Sequence, residues 1–142
     1  MLNKILSRAP LHEHAEPAQR LLGVAELPPE SAELRRLLRT DPAPEVRAAA
    51  ARRCADGVAL TEVWQSDAEP QVRLAIVESL GRWLDGVDGE RRRAAVEAIG
   101  SQDLLAEIAL TAPHAPVRLA AAERVIEEAA LRRLADGAKD KD

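Results

Sequence analysis

The sequence predicts an all-α protein, organised as an α-solenoid of short helix pairs, and three observations support this prediction. The 142 residues include 28 alanines, 19 leucines and 17 arginines, which lose little conformational freedom on entering a helix. They include two tryptophans but no phenylalanine or tyrosine, so the aromatic residues that favour strands are nearly absent. Finally, one short phrase recurs along the chain, as it does in repeat architectures.

Length and composition restrict the class of protein. A chain of 142 residues suffices for one domain with a sizeable core, and 46% hydrophobic with 31% charged residues is typical of a globular chain. No apolar run approaches the ~18 residues of a membrane span, and the first residues lack the apolar core of a signal peptide. We therefore expect a cytoplasmic protein without membrane association. The net charge of −4 does not favour binding of a polyanion by the molecule as a whole.

The repeated phrase fixes a register along the chain. It surrounds Arg47, Arg73 and Arg118, and a fourth unit falls on Arg92, so that the spacings between these anchor arginines are 26, 19 and 26. Two residues after each anchor stands an alanine: Ala49, Ala75, Ala94 and Ala120. Seven residues after each anchor stands a larger apolar residue or cysteine: Cys54, Leu80, Ile99 and Val125. This spacing predicts one buried face on the first helix of each unit.

A second short helix is predicted in three of the four units. Apolar residues recur thirteen and sixteen positions after the anchor: Leu60 and Val63, Leu105 and Ile108, Leu131 and Leu134. The unit of Arg73 has Gly86 and Gly89 there instead. Its first helix is therefore expected to run on through residues 81–84, the next unit to begin after Asp88, and the stacking to change at this point.

The ends of the array are less regular. Residues 19–27 and 31–39 read as a degenerate first pair, which brings the expected total to about nine helices. Gly57 and Gly100 are expected just past helix ends. We divide the chain into a flexible amino-terminal tail (1–16), one solenoid domain (17–136) and a polar carboxyl-terminal tail (137–142). Whether this is a complete protein or the amino-terminal module of a longer one stays open, and an open last repeat would favour self-association.

The phrase Asp-x-x-x-x-Val-Arg-x-Ala-Ala, followed by a helix such as Leu104-Leu-Ala-Glu-Ile-Ala, resembles a short HEAT-like repeat over residues 41–136. The arrangement is similar to the amino-terminal repeat arrays of large bacterial helical proteins without an assigned function. The resemblance implies a helix-pair solenoid. It does not specify a partner, because scaffolds, bilin lyases and DNA glycosylases all use such helices.

We expect structural roles for the four repeated alanines, for two aspartates at helix starts and for the anchor arginines. Ala49, Ala75, Ala94 and Ala120 are expected to let neighbouring helices approach closely. Asp41 and Asp67 stand at helix starts, where a carboxylate accepts hydrogen bonds from free amides. Arg47, Arg73 and Arg118 are expected to reach these carboxylates or loop carbonyls as a structural ladder. The alternative is a row of arginines that faces a ligand.

The inventory of catalytic side chains is poor. His12, His14, Glu13 and Glu16 form the best metal-like group, but we expect them in a solvated tail. His114 is expected in a loop without a partner, and Cys54 as a buried small hydrophobe. The sequence therefore predicts no catalytic residue, no cofactor and no metal site.

Tryptophans and arginine clusters are the remaining signals. We expect Trp64 and Trp83 to be core residues, the alternative being exposed hot spots of an interface. The clustered arginines are Arg35, Arg36, Arg39, Arg52, Arg53, Arg91, Arg92, Arg93, Arg132 and Arg133. They form either a solvated face laced with ion pairs or an interaction surface that contacts phosphates.

The resulting functional expectation is a non-enzymatic scaffold whose partner is another protein. The alternative is a module that binds a nucleic-acid backbone through the arginine clusters. A third, less favoured reading is an accessory protein similar to the chromophore lyases.

Overall fold

The computed structural model describes residues 10–125 and 128–141, and within these ranges the chain is all-α. A 3-10 turn at Leu11–Glu13 precedes nine α-helices. The helices are α1 (Pro17–Val24), α2 (Ala32–Thr40), α3 (Pro44–Arg53), α4 (Gly57–Ser66), α5 (Pro70–Asp85), α6 (Gly89–Ala98), α7 (Gln102–Thr111), α8 (Ala115–Ala122) and α9 (Glu128–Lys141). The predicted fold class is confirmed.

The helices stack as successive layers, in which each helix packs against the one two places further along the chain. Such packing joins α1 to α3, α2 to α4, α3 to α5, α5 to α7, α6 to α8 and α7 to α9. Short helix pairs bury their apolar faces in this way because no pair can do so alone. In the described part of the chain α4 and α6 are the exception, since these two helices do not pack closely against each other.

The apolar register predicted from the anchors is confirmed. Cys54, Leu80, Ile99 and Val125 are all buried. The residue before the anchor is fully buried in three units, as Val46, Val72 and Val117. Both positions face the same continuous core, which explains why the repeats share them.

The small-residue prediction is correct for three alanines and wrong for the fourth. Ala75 is fully buried, and Ala49 and Ala120 pack partly buried against the core, whereas Ala94 is exposed. Ala94 lies in α6, whose buried residue is Val96. The α6 residues that face the gap to α4 are Ala95, Ala98 and Ile99, so Ala94 lies on a different, solvent-exposed face of this helix.

The irregular unit has the predicted boundaries. α5 runs on to Asp85, and α6 begins at Gly89, where the Asp88 carboxylate accepts a hydrogen bond from the Arg91 amide at 2.9 Å. The glycine prediction is confirmed for Gly100, which directly follows the C-cap Ile99 of α6, and wrong for Gly57. Gly57 is instead the first residue of α4, where the Asp56 side chain caps the helix, so this boundary is set by a carboxylate cap.

A flexible tail was expected over residues 1–16, but residues 10–16 pack against the array. Residues 1–9 lie outside the described residues. The 3-10 turn packs against α1. A Cβ built on Gly23 would overlap backbone atoms of His12, so the missing side chain of this glycine provides the space for the turn. Arg20 Nη1 donates hydrogen bonds to the carbonyls of His14 at 2.9 Å and Ala15 at 2.6 Å. Backbone contacts of this kind leave no signal in the hydrophobic pattern.

The carboxyl-terminal tail expected over residues 137–142 is helical as far as the structure describes it, since α9 continues to Lys141; Asp142 lies outside the described residues. Gly137 allows the close approach of Leu110, whose Cδ2 would lie 2.7 Å from a Cβ at position 137. Leu134 packs partly buried against the core, but Leu131 is exposed, against expectation. α9 therefore presents a different face to α7 from the one predicted.

Candidate docking groove

The anchor arginines bind loops inside the array. Arg47 Nε donates to Asp67 Oδ2 at 2.7 Å, and its Nη1 donates to the carbonyl of Asp41 at 2.8 Å. Asp67 Oδ1 also accepts from the Glu69 amide at 3.1 Å. One guanidinium group thus joins the loop before its own helix to the loop before the next helix of the same layer.

The other anchors use carbonyl acceptors. Arg73 donates to the carbonyls of Asp67 at 2.8 Å and Trp64 at 2.9 Å, with its guanidinium 4.3 Å from the centre of the Trp64 ring. Arg118 donates to the carbonyls of Ala112 and Pro113. Arg92 donates to the carbonyls of Leu84 and Val87. Every anchor guanidinium has an acceptor within the array, which favours the ladder over a row that faces a ligand.

Arg20 belongs to the same ladder, although sequence reasoning did not include it. Its Nε and Nη2 donate to the Asp41 carboxylate at 2.8 and 3.1 Å, and both side chains are buried. The hydrogen bond to Asp41 raises the pKa of Arg20, against the opposing effect of burial. The missed signal is a spacing: Arg20 precedes Asp41 by 21 residues, much as Arg47 precedes Asp67 by 20.

The clustered arginines are distributed over four helices and are interleaved with carboxylates. The ion pairs include Arg35 with Asp56, Arg36 with Glu33, Arg39 with Glu62, Arg52 with Glu78, Arg91 with Asp88 and Arg133 with Glu107. Arg35 donates to the carbonyl of Glu30, and Arg53 donates to the carbonyl of Leu27. Arg92 belongs to the ladder, and Arg132 also has an interaction partner. Arg93 is exposed. The structure does not gather these charges into one basic groove.

An apolar groove of about 540 Å³ lies between α4 and α6. We call it the Trp83 groove. It is lined by Glu30, Arg35, Ala55, Asp56, Gly57, Val58, Thr61, Glu62, Gln65, Leu80, Trp83, Ala95, Ala98 and Ile99. It occupies the place where α4 and α6 fail to pack, above the end of α5.

Trp83 is the main exposed apolar surface in the groove. Its side chain is 45% exposed and that of Val58 is 69% exposed, while Leu80 and Ile99 form a buried floor. The core prediction is wrong for Trp83 and confirmed for Trp64, which is 4% exposed. Trp83 follows Leu80 by three residues, as a core residue would. Its unit, however, lacks the second helix that is expected to cover this face.

The start of α4 positions the Trp83 ring. Asp56 Oδ1 accepts hydrogen bonds from the amides of Val58 and Ala59, both at 3.1 Å, and so fixes the first turn of the helix. A Cβ at Gly57 would lie 3.8 Å from Trp83 Cζ3. The six-membered ring of Trp83 therefore lies near the start of α4, and Trp83 lines the groove beside it.

The rim of the groove carries more negative than positive charge. Its ionisable side chains are the carboxylates of Glu30, Asp56 and Glu62 and the guanidinium of Arg35. Arg35 Nε lies 3.9 Å from Asp56 Oδ2, and its Nη1 donates to the carbonyl of Glu30. An apolar floor with an acidic rim attracts a cationic, apolar ligand.

Three side chains that could take part in catalysis, those of Cys54, Ser79 and His114, make structural contacts instead. Cys54 is buried, burial raises the pKa of its thiol, and its Sγ accepts from the Asp56 amide at 3.4 Å. Ser79 is also buried and donates to the carbonyl of Cys54 at 3.2 Å. His114 lies exposed with Nε2 3.3 Å from Asp85 Oδ2. These contacts hold loops and helices together.

Comparison of the chain with protein-family models, curated proteins and solved structures returned no match. The resemblance to HEAT-like repeats therefore stays a prediction based on the repeated phrase. In the described ranges no helix combines the length and the apolar character needed to cross a bilayer.

Proposed function

We propose that this chain is a non-enzymatic helical-repeat module that binds a segment of another protein in the Trp83 groove. The observation that carries the proposal is that Trp83 is 45% exposed at a step of the array, unique within the described residues, where helices two apart do not pack closely. Tryptophan is enriched among the residues that dominate binding energy in protein interfaces. Its exposure in a groove with a buried apolar floor supports docking at this place.

The occupant we propose is an amphipathic helix with two or three large apolar side chains and flanking lysines or arginines. The groove lies between two helices, and a third helix laid between them would replace the second helix that the irregular unit lacks. Its volume of about 540 Å³ accommodates a few large side chains. The groove lining has three carboxylates to one guanidinium, and although Asp56 and Glu62 already pair with Arg35 and Arg39, this balance favours positive flanks on that helix.

A small-molecule ligand fits this surface less well than a helix. Pockets for small molecules bury most of the ligand and converge a few polar groups on it. Here Val58 and Trp83 stand open to solvent, and the polar groups of Asp56 and Arg35 are engaged with each other or with the backbone.

Binding of a nucleic-acid backbone is not favoured by the same geometry. Most clustered arginines have a carboxylate or carbonyl partner, and phosphates would have to compete with those partners. The rim of the groove is acidic, so it would repel phosphates.

The proposal is tested by panning the chain against a displayed library of helical peptides about 18 residues long. The groove predicts enriched peptides with apolar residues at i, i+3 or i+4 and i+7 and a net positive charge. Enrichment of acidic peptides, or of none that depend on the groove, would contradict the proposal. Addition of duplex DNA at low salt is expected to leave the binding of selected peptides unchanged.

Trp83→Arg should weaken binding of a selected peptide by at least about thirtyfold, since loss of a central tryptophan costs ~2 kcal/mol or more. Leu119→Arg is the matched control, because Leu119 is also an exposed apolar residue on a helix but lies on α8, outside the groove. Calorimetric titration of both variants measures the difference. Equal affinities for the two variants would place the binding surface elsewhere.

A further inference from the structure

The amino-terminal turn brings together three side chains of the kinds that bind transition metals. His12 and Glu13 lie in the 3-10 turn, and Glu33 lies in the first turn of α2. One ligand atom from each residue falls within 4.8 Å of the other two. His12 Nε2 is 3.5 Å from Glu33 Oε2 and 3.8 Å from Glu13 Oε1.

A separate observation concerns the imidazole of His12. Its side chain is only 11% exposed, and Nε2 is buried without a hydrogen-bond partner. A buried polar atom without a partner costs free energy, so its persistence calls for an explanation. Here the unpartnered nitrogen is the atom that lies closest to both carboxylates, and a cation bound between them would satisfy it.

We infer that His12, Glu13 and Glu33 form a binding site for a divalent transition-metal ion, with Zn²⁺ as the best match. One imidazole nitrogen and two carboxylate oxygens form a mixed ligand set that suits Zn²⁺ and its neighbours in the first transition row. Tetrahedral bonds of about 2.0–2.1 Å place ligand atoms roughly 3.3 Å apart. His12 Nε2 lies 3.5 and 3.8 Å from the two carboxylate oxygens, and all three ligand atoms lie within 4.8 Å of one another, so side-chain rotations must bring them closer together around an ion.

The surroundings leave access and charge for an ion. His12 and Glu13, but not Glu33, line an open cleft of about 410 Å³, from which water can reach the side of the site that these two residues form. Arg36 Nε donates at 3.0 Å to Glu33 Oε2, the same oxygen that lies 3.5 Å from His12 Nε2, so a bound ion would displace Arg36 or use the second oxygen of this carboxylate; both Glu33 and Arg36 are about half exposed. The nearby cation Arg20 is already neutralised by Asp41.

The ion would fasten the 3-10 turn at Leu11–Glu13 to α2. The 3-10 turn contacts α1, and Glu33 is the contribution of α2 to the site. A bound ion stabilises the folded chain because the unfolded chain does not hold the three ligands together. The expected consequence is a metal-dependent Tm.

The test is calorimetric titration of Zn²⁺ into the untagged chain after treatment with a chelator. We expect one ion per chain and a higher Tm at saturation, with at least about tenfold weaker binding in His12→Ala and in Glu33→Gln. His114→Ala is the matched control, because His114 also faces a carboxylate but lies in a distant loop. It should bind Zn²⁺ as the unmodified chain does, and Ca²⁺, which prefers all-oxygen sites, should not bind.

Two results would overturn the site. One is absence of Zn²⁺ binding by the unmodified chain. The other is Zn²⁺ binding of equal affinity in Glu33→Gln and the unmodified chain, which would indicate an adventitious ion on surface carboxylates. Glu33→Gln keeps the shape of a half-exposed side chain. Its Zn²⁺ affinity therefore tests the site even if His12→Ala disturbs the packing of the turn.

Discussion

Ala75→Leu is expected to destabilise the chain by about 1–3 kcal/mol and to lower Tm by several degrees. Ala75 is fully buried on α5, which packs against α3. The facing helix is itself rich in buried alanines, with Ala48, Ala50 and Ala51 at 0–1% exposure. Three additional carbon atoms at Ala75 must therefore force the two helices apart. Thermal unfolding followed by circular dichroism measures the effect.

Ala94→Leu is the matched control for this prediction. Ala94 holds the same repeat position in α6, two residues after the anchor arginine, but it is exposed. The substitution should leave Tm nearly unchanged, since most surface changes stay within about 0.5 kcal/mol. Equal losses in both variants would show that α6 is packed into the array like α5. No loss in either would show that the register assigned to α5 is wrong.

Asp41→Ala is the second substitution with a large expected effect. The carboxylate of Asp41 accepts hydrogen bonds from Arg20 and from the Ala43 amide, and its side chain is 2% exposed. Loss of the acceptor for the buried amide alone costs about 1–3 kcal/mol. The guanidinium of Arg20 loses its counter-ion at the same time, which adds to the cost. Chemical denaturation should show a clear drop in the midpoint.

Glu78→Ala supplies the comparison for Asp41→Ala. Glu78 also pairs with an arginine from another helix, Arg52 at 3.2 Å, but both side chains are about half exposed. Exposed pairs contribute about 0–1 kcal/mol. If the two variants lost the same small amount of stability, the buried ladder would have no special role in joining the layers.

The sequence predicts the regular part of the fold well, because each repeat reports on the others. The buried positions of Cys54, Leu80, Ile99 and Val125 follow from one spacing. The early end of the irregular unit follows from Gly86 and Gly89, which replace apolar residues where a second helix would pack. Local pattern determines both features.

Prediction fails where a residue depends on a neighbour that the pattern does not specify. Ala94 and Trp83 occupy core-like positions in the repeat pattern, yet both are exposed; Trp83 is exposed where α4 and α6 do not pack closely. His12 was expected in a solvated tail, yet its backbone packs in the space left by Gly23. Arg20 was missed because its unit lacks the repeated phrase around the anchor. The docking groove and the candidate metal site both lie at such places.

Acrylamide quenching of the two tryptophans separately is the most direct test of the account. In Trp64→Phe, the remaining Trp83 should be readily quenched in the free chain and protected once a selected peptide is bound. In Trp83→Phe, the remaining Trp64 should be shielded in both states, because it is buried beneath Arg73. Trp83 as shielded as Trp64 in the free chain, or unprotected by the bound peptide, would contradict an open docking groove.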